Sequence, residues 1–557
     1  MNKKISIVVG YPPIKSDKGV PLLSQNRQFQ YFNASTYIYP MVPAYAASNL
    51  QDKGYKVYWM DGIAEKKEYA VWVKELKKIK PDYLMVETKS PVVKIHWKII
   101  DDLKKQSLKI ENWKLKIVMV GDHISYIPLE IFENSKIDYA ITGGDYDFVI
   151  VNLLNHVHKG EVLEGGVYWR ASNKDIKAKP YASTKLKRGQ IIHHSGPASL
   201  KHDLNSLPFV DRDLTKWKLY AYENGNYKYT PGTYMYSGRD CWWNRCTFCV
   251  WDHTINPIGS YRSFTPQRLF DEVKHVVDKY GIKEIFDDAG TMFIGPKLNK
   301  FCELLIESGY NKKVRYGCNM RFNALTQEYY NLMAKAGFRF ILYGMESANQ
   351  KTLDKLDKGT KEADTINGSR MASKAGLDPH ATIMLGYPWE SYADAKRTIE
   401  VAKYCFKKGY FTTMQATIVI PYPGTPLFKE CREKGWLLTE DYEHYDMREP
   451  LMKTPFPKEK IYALEQELYS SFMTPQYIIR RVLSIRSFHD FKYFFYMAWK
   501  LLAHLLDFDP SQTKVSIMSF SFWKNAVKSL GGHFFKGKTN IDVEKDRVDL
   551  ADSAVNL

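Results

Sequence analysis

SGRDCWWNRCTFCVWD, residues 237–252, places three of the chain's seven cysteines within nine residues, spaced C-x4-C-x2-C. The loop comes after an apolar run, TYMYS (233–237), and precedes the helix-like PQRLFDEVKHVV, so it sits at a predicted strand-to-helix turn. Three thiolates this close suit a metal. A structural zinc site wants a fourth ligand, and His253, four residues past Cys249, is the nearest candidate. An iron–sulfur cube held by three cysteines instead leaves one iron open to a small molecule, which is a catalytic arrangement. Both readings stand on the loop alone.

Outward from the loop, residues 231–430 alternate apolar runs with amphipathic stretches. The runs are EIFDD (284–288), VRYGC (314–318), FRFILYG (338–344), ATIMLGYP (381–388) and TMQATIVIP (413–421). This βα spacing predicts a partial (β/α) barrel with its site at the strand C-terminal ends. Residues 1–157 alternate in the same way, with runs ISIVV (5–9), KVYWM (56–60), DYLMVE (82–87), KIVMV (116–120) and IDYAI (137–141). They predict an α/β domain of the doubly wound, flavodoxin- or Rossmann-like kind, whose ligands bind outside the strand carboxyl ends. Residues 158–230 show no sustained period and are expected to be a connector with some strand content. Residues 431–557 turn helical and aromatic.

Composition narrows the classes. Hydrophobic residues are 45% and charged residues 25%, ordinary for a folded protein. Net charge is +18, but the lysines are scattered along helix-like stretches, so a nucleic-acid partner is not expected. Between Pro475 and Asn540 ten Lys plus Arg face three Asp plus Glu, which leaves peripheral membrane contact by this aromatic region as an expectation beside packing on the barrel. The opening MNKKISIVVGYPP has too short an apolar run for a secretory signal, and the odd cysteine count fits a reducing compartment; a cytoplasmic protein is expected.

The cysteine loop and the segments C-terminal to it resemble the radical S-adenosylmethionine (SAM) superfamily, and within it the cobalamin-binding members. The resemblance implies a [4Fe–4S] cluster on Cys241, Cys246 and Cys249, with the fourth iron chelating SAM. It places Phe248 near the adenine, Asp287 and Asp288 near the SAM amino group, Arg321 of GCNMRFNAL near a carboxylate, and Glu346 and Ser347 of LYGMESANQ near the ribose or methionyl end. The family's usual spacing is C-x3-C-x2-C; here one extra residue separates the first two cysteines, and Trp242 and Trp243 occupy the gap. GYPP, GDHISYIP and ITGGDYD resemble the cobalamin-binding domain that precedes the barrel in this subgroup. On that resemblance Pro12, Thr88, Gly121, His123, Gly143 and Gly144 are the expected cobalamin contacts. The D-x-H-x-x-G pattern that supplies a lower histidine ligand to cobalt elsewhere is absent. No cysteine occurs in residues 1–240, so the second cluster of the methylthiotransferases is excluded.

The implied activity is reductive cleavage of SAM to a 5′-deoxyadenosyl radical, followed by cobalamin-dependent C-methyl transfer to an unactivated carbon of a small molecule, lipid precursor or peptide. An electron donor such as flavodoxin or ferredoxin is implied as partner. Cyclisation or rearrangement with the same cofactors is the alternative, and a basic RNA- or membrane-binding protein with a structural metal is the alternative from another class. Tyr343 and Cys318, near strand ends, are the candidates for contact with substrate. Cys302, Cys405 and Cys431 fall on apolar stretches and are expected to be buried.

Overall fold

The computed structural model describes residues 4–23, 29–33, 35–485 and 488–507. The remainder of the helical C-terminal region expected from sequence, 508–557, lies outside the described residues. The chain forms two compact units. The first comprises the described residues of 4–319, 335–338 and 419–453; the second comprises those of 320–334, 339–418 and 454–507.

In the first unit, five predicted apolar runs become the parallel strands β1 (Ser6–Tyr11), β2 (Lys56–Asp61), β3 (Tyr83–Glu87), β4 (Lys116–Val120) and β5 (Tyr139–Ile141). Their spatial order is β2-β1-β3-β4-β5. That is the flavodoxin-like order, which reverses between β1 and β3 and opens a crevice at their carboxyl ends. The strands are nearly all buried because helices cover both faces. On one face Val8, Leu84, Val86, Ile117 and Met119 pack with Trp72, Leu76, Ile100 and Leu103 of the helices Tyr69–Ile79 and Val93–Leu108. Each such side chain contributes about 1.5–3 kcal/mol when fully buried. Helices Met41–Asp52 and Tyr146–Lys159 pack together elsewhere against the sheet.

The connector is more ordered than its sequence pattern suggests. Its strands β6 (Val167–Arg170), β7 (Ala182–Lys185) and β8 (Ile191–His194) continue the same sheet antiparallel, in the order β5-β6-β8-β7. The outermost, β7, is exposed along its length, which is why no alternation marks it.

A second set of strands starts in this unit: β9 (Gly232–Met235), β10 (Glu284–Asp287) and β11 (Arg315–Met320) run parallel. Helix Pro266–Tyr280 links β9 and β10. Thr265 caps its start, accepting from the Arg268 N–H, and Gly281 ends it in the left-handed conformation.

In the second unit β12 (Phe338–Glu346), β13 (Asp378–Leu385) and β14 (Thr413–Ile418) are parallel. Helix Tyr392–Lys408 joins the last two and begins with a capping box between Ser391 and Asp394. Helix Lys458–Ser470 lies beside β14, where the Tyr469 hydroxyl bonds both the N–H and the C=O of Ala416 at 3.2 Å. These are the parallel-stranded parts of the expected partial barrel. Among the described residues no helix is long and apolar enough to cross a membrane.

Candidate functional site

The cysteine loop leaves the end of β9 through Gly238-Arg239, which pairs with Arg262-Ser263. Cys246 is buried; Cys241 and Cys249 are half-buried. The Cys249 N–H donates to the Cys246 carbonyl at 3.0 Å, closing the C-x2-C turn. Within the C-x4-C segment Asn244 takes a positive φ of 49° and donates its side-chain amide to the Asn256 carbonyl at 2.8 Å. Asparagine tolerates that conformation better than most residues. Trp242 fixes the same segment by donating its indole N–H to the Met292 carbonyl at 3.2 Å.

Neighbouring elements pack tightly on this loop. The Thr247 carbonyl accepts from the Leu427 N–H at 3.0 Å, and the Cys241 thiol lies 3.3 Å from the Thr291 hydroxyl. A Cβ on Gly290 would stand 2.7 Å from the Cys241 Cβ, so only glycine lets the segment after β10 lie this close. Burial, and after it the nearby Asp252 carboxylate, push the Cys241 thiol up; a cationic iron would reverse that. His253, the candidate fourth zinc ligand, has its Nε2 3.1 Å from the Cys246 carbonyl. Among the described residues no group of three His, Cys, Asp or Glu side chains converges to hold a metal ion. A cube of four irons takes one thiolate per iron and does not ask three sulfurs to meet on one atom.

At the end of β10, Asp287 is fully buried and accepts from the Ser237 N–H at 3.0 Å, the Ala289 N–H at 3.1 Å and the Tyr316 hydroxyl at 3.1 Å. Burial raises it to about 6 against these donors. Asp288 accepts from the Asn319 amide at 3.1 Å. Phe248 is half-buried within the loop. Cys318, on β11, is buried, and burial holds its thiol well up. Cys302, Cys405 and Cys431 are buried as expected.

In the second unit Glu346 sits at a register irregularity of β12 against β13, with φ +61°, and pairs with the Lys358 ammonium at 2.8 Å. Arg321 donates to the Lys358 carbonyl. Ser347 donates to Glu390 at 2.7 Å. Tyr343 is buried, donates to the Tyr330 hydroxyl at 2.9 Å and stacks on Phe322.

At the β1/β3 switch point the residues named from sequence meet a polar network that the pattern did not single out. Glu87, the last residue of β3, is buried between the hydroxyls of Tyr11 and Tyr146, and burial raises it to about 7 despite Lys89. Pro12, next to Tyr11 in sequence, is buried too, and Thr88 shares a hydrogen bond with His96 Nδ1 at 2.7 Å. His96 Nε2 is buried without a partner. His123 has Nδ1 3.1 Å from the Ser90 hydroxyl and Nε2 2.9 Å from Glu130. Gly121, with φ +118°, has no room for a Cβ against the Thr88 carbonyl; a Cβ on Gly143 would meet Ala198, and one on Gly144 would meet Asn256. All three glycines thus make close approaches to this chain's own atoms.

The sharpest feature missed from sequence joins that sheet to the cysteine loop. Arg239, two residues before Cys241, is buried and forms a bidentate pair with Asp147, at 3.0 and 2.7 Å. It also reaches the Gly144 carbonyl at 3.0 Å. Asp145 binds Arg262 and His202, and these cations hold its carboxyl down at about 2 despite its burial. His202, between Asp145 and Glu164, is raised to about 9. The Gly144 N–H donates to the Ile255 carbonyl at 2.8 Å, and helix Asp122–Tyr126 packs on the turn Trp251–Ile255. The carboxyl edge of the first sheet therefore docks directly on the loop. The signal was present as ITGGDYD and SGRDC, but a long-range pair has no local period.

A three-cysteine loop at a strand end, docked on the carboxyl edge of a flavodoxin-like sheet, defines a class. Residues 235–402 match the Radical SAM superfamily, so the chain carries a radical SAM domain within the fold of the cobalamin-dependent radical SAM enzymes. Two solved structures show that fold. The cobalamin-dependent S-adenosylmethionine radical enzyme OxsB, solved with aqua-cobalamin and SAM, covers 91% of this chain and 72% of its own at a TM-score of 0.64 and 15% identity. The radical SAM methyltransferase TsrM of Kitasatospora setae, solved with cobalamin and a [4Fe–4S] cluster, covers 84% of this chain and 89% of its own at a TM-score of 0.58 and 14% identity. An uncharacterised methyltransferase of Pyrococcus horikoshii is 25% identical over 459 residues, 81% of this chain and 91% of that protein.

Proposed function

We propose that this protein is a radical SAM enzyme that holds a [4Fe–4S] cluster on Cys241, Cys246 and Cys249 and works with cobalamin at the carboxyl edge of its first sheet. The observation that carries the reading is the docking of that edge on the cysteine loop through Arg239, Asp145 and Asp147. Held by these thiolates, the cluster would supply the electron for reductive cleavage of SAM, and cobalamin would supply a carrier for a methyl group or an electron. The chain's own contribution is position and exclusion of water. Trp242, Asn244 and Gly290 fix the loop. The switch point suits a ligand edged with amides, because Lys89, Ser90 and His96 are donors gathered on the segment just after β3. The acids beside them are Glu87 and Asp122.

For the step after hydrogen abstraction, the names of relatives support the expected C-methyl transfer first and cyclisation or rearrangement second, and the fold likeness serves both. The P. horikoshii relative, matched over 91% of its length, is named a methyltransferase. Cyclisation or rearrangement stands as the second reading because a relative matched over 74% of this chain and 63% of its own length is named the anaerobic magnesium-protoporphyrin IX monomethyl ester cyclase of Cereibacter sphaeroides. The stoichiometry separates them. A rearrangement releases 5′-deoxyadenosine and methionine alone, whereas methyl transfer also consumes a second SAM and releases S-adenosylhomocysteine. Anaerobic turnover with fractionated metabolite extract, scored for both nucleosides, should give substrate-dependent 5′-deoxyadenosine and S-adenosylhomocysteine in equal amounts; 5′-deoxyadenosine with little S-adenosylhomocysteine would reverse the preference.

A further inference from the structure

Two helices near the end of the second unit carry an inverted pattern. In Pro475–Leu483 the exposed positions include Ile479, Val482 and Leu483, and in Phe488–Asp507 they include Phe488, Phe491 and Phe495. Leu483 and Phe488 are 76% and 79% exposed. The three phenylalanines recur at three and four residues, so they share one side of the second helix, and successive rings touch at 6.5 and 4.7 Å. A helix that packed only on its own domain would turn such a stripe inward. Among the described residues of 4–474 the exposed large apolar side chains are scattered along the sequence, which is ordinary; here they cluster within eighteen residues, Ile478 to Phe495.

We propose that these helices lay their apolar sides on an anionic lipid surface. Charge selects that occupant. In the sequence Arg480, Arg481, Arg486 and Lys492 are interleaved with the apolar positions, and Pro475–Asn540 holds ten Lys plus Arg against three Asp plus Glu. Aromatic and aliphatic residues on one side with basic residues beside them is the pattern of a helix lying in the headgroup plane. Neither helix is apolar enough to span. The contact is therefore peripheral, and salt weakens it because the attraction to anionic headgroups is screened.

The full chain, purified anaerobically, is spun with vesicles of phosphatidylcholine alone or with about a third phosphatidylglycerol. The wild type should pellet with the anionic vesicles, roughly tenfold more than with the neutral ones, and high salt should release it. Phe488→Ser, Phe491→Ser and Phe495→Ser together should lower the bound fraction about tenfold, while Leu108→Ser, an exposed leucine on the first unit, should leave it unchanged. Circular dichroism matching the wild type checks that the triple variant folds. A wild type that stays in the supernatant with both vesicles overturns the proposal whatever the variants do. So does concentration-dependent dimerisation lost in the triple variant without vesicle binding, which would give the face to a second copy.

Discussion

Arg239→Met removes the cation paired with Asp147, which is completely buried, while Asp145 keeps Arg262 and His202. Breaking a buried pair on one side leaves an uncompensated charge and costs about 3–5 kcal/mol. The first unit has about 360 residues, and unfolding entropy runs near 2.1 cal/mol/K per residue, so its melting temperature should fall by roughly 4–7 °C. Arg239→Met with Asp147→Leu removes both charges and should recover more than half of that loss, because replacing a whole buried pair with apolar groups is often near neutral. The assay is thermal unfolding of the four proteins of the cycle, read with iron retained per chain after reconstitution. If the clamp holds the loop, the single variant loses iron along with stability and the double variant regains stability first. Additive losses in the two variants would show that the residues do not act as a pair, and the docking of sheet edge on loop would lose its energetic basis.

Single sites give further expectations. Glu465 is buried, its carboxylate oxygens have no partner, and burial raises it to about 8 from an ordinary 4.5. The folded state thus binds the proton more tightly than the unfolded chain, so stability falls as pH rises from about 4.5 to 8 and is flat above. Glu465→Gln should abolish that slope and gain about 3–5 kcal/mol at pH 9, seen as a melting temperature that no longer drops between pH 6 and 9; a parallel pH profile would refute it. Gly290→Ala pushes a methyl group against Cys241 and Asp240 and should cost about 1–3 kcal/mol and lower reconstituted iron, measured by iron analysis. Gly121→Ala meets the Thr88 carbonyl at a positive φ and should destabilise the first unit by at least about 1 kcal/mol in thermal melts; an unchanged melting temperature would refute it.

Most strands were legible because each is a short apolar run bounded by turn residues. DYLMVE and KIVMV became β3 and β4 almost to the residue. The hairpin β7–β8 was not, since Ala182–Lys185 is exposed and carries no alternation. The three cysteines were legible from spacing alone, whereas their restraint by Gly290, Trp242 and Asn244 depends on segments far apart in sequence. Glycines show where the backbone needs room: a Cβ on Gly121, Gly143 or Gly144 would meet Thr88, Ala198 or Asn256, close approaches that the sequence does not reveal. Glu87 was readable as an acid closing an otherwise apolar strand, and its partners Tyr11 and Tyr146 were not.

The central claim is tested most directly by SAM cleavage. The chain is reconstituted anaerobically with iron and sulfide, mixed with SAM and a strong reductant, and assayed for iron and 5′-deoxyadenosine beside Cys241→Ala, Cys246→Ala and Cys249→Ala. About four irons per wild-type chain, with nucleoside release that each substitution abolishes, is the predicted result. Zinc in place of iron, or release that survives loss of any one of the three thiols, would contradict it.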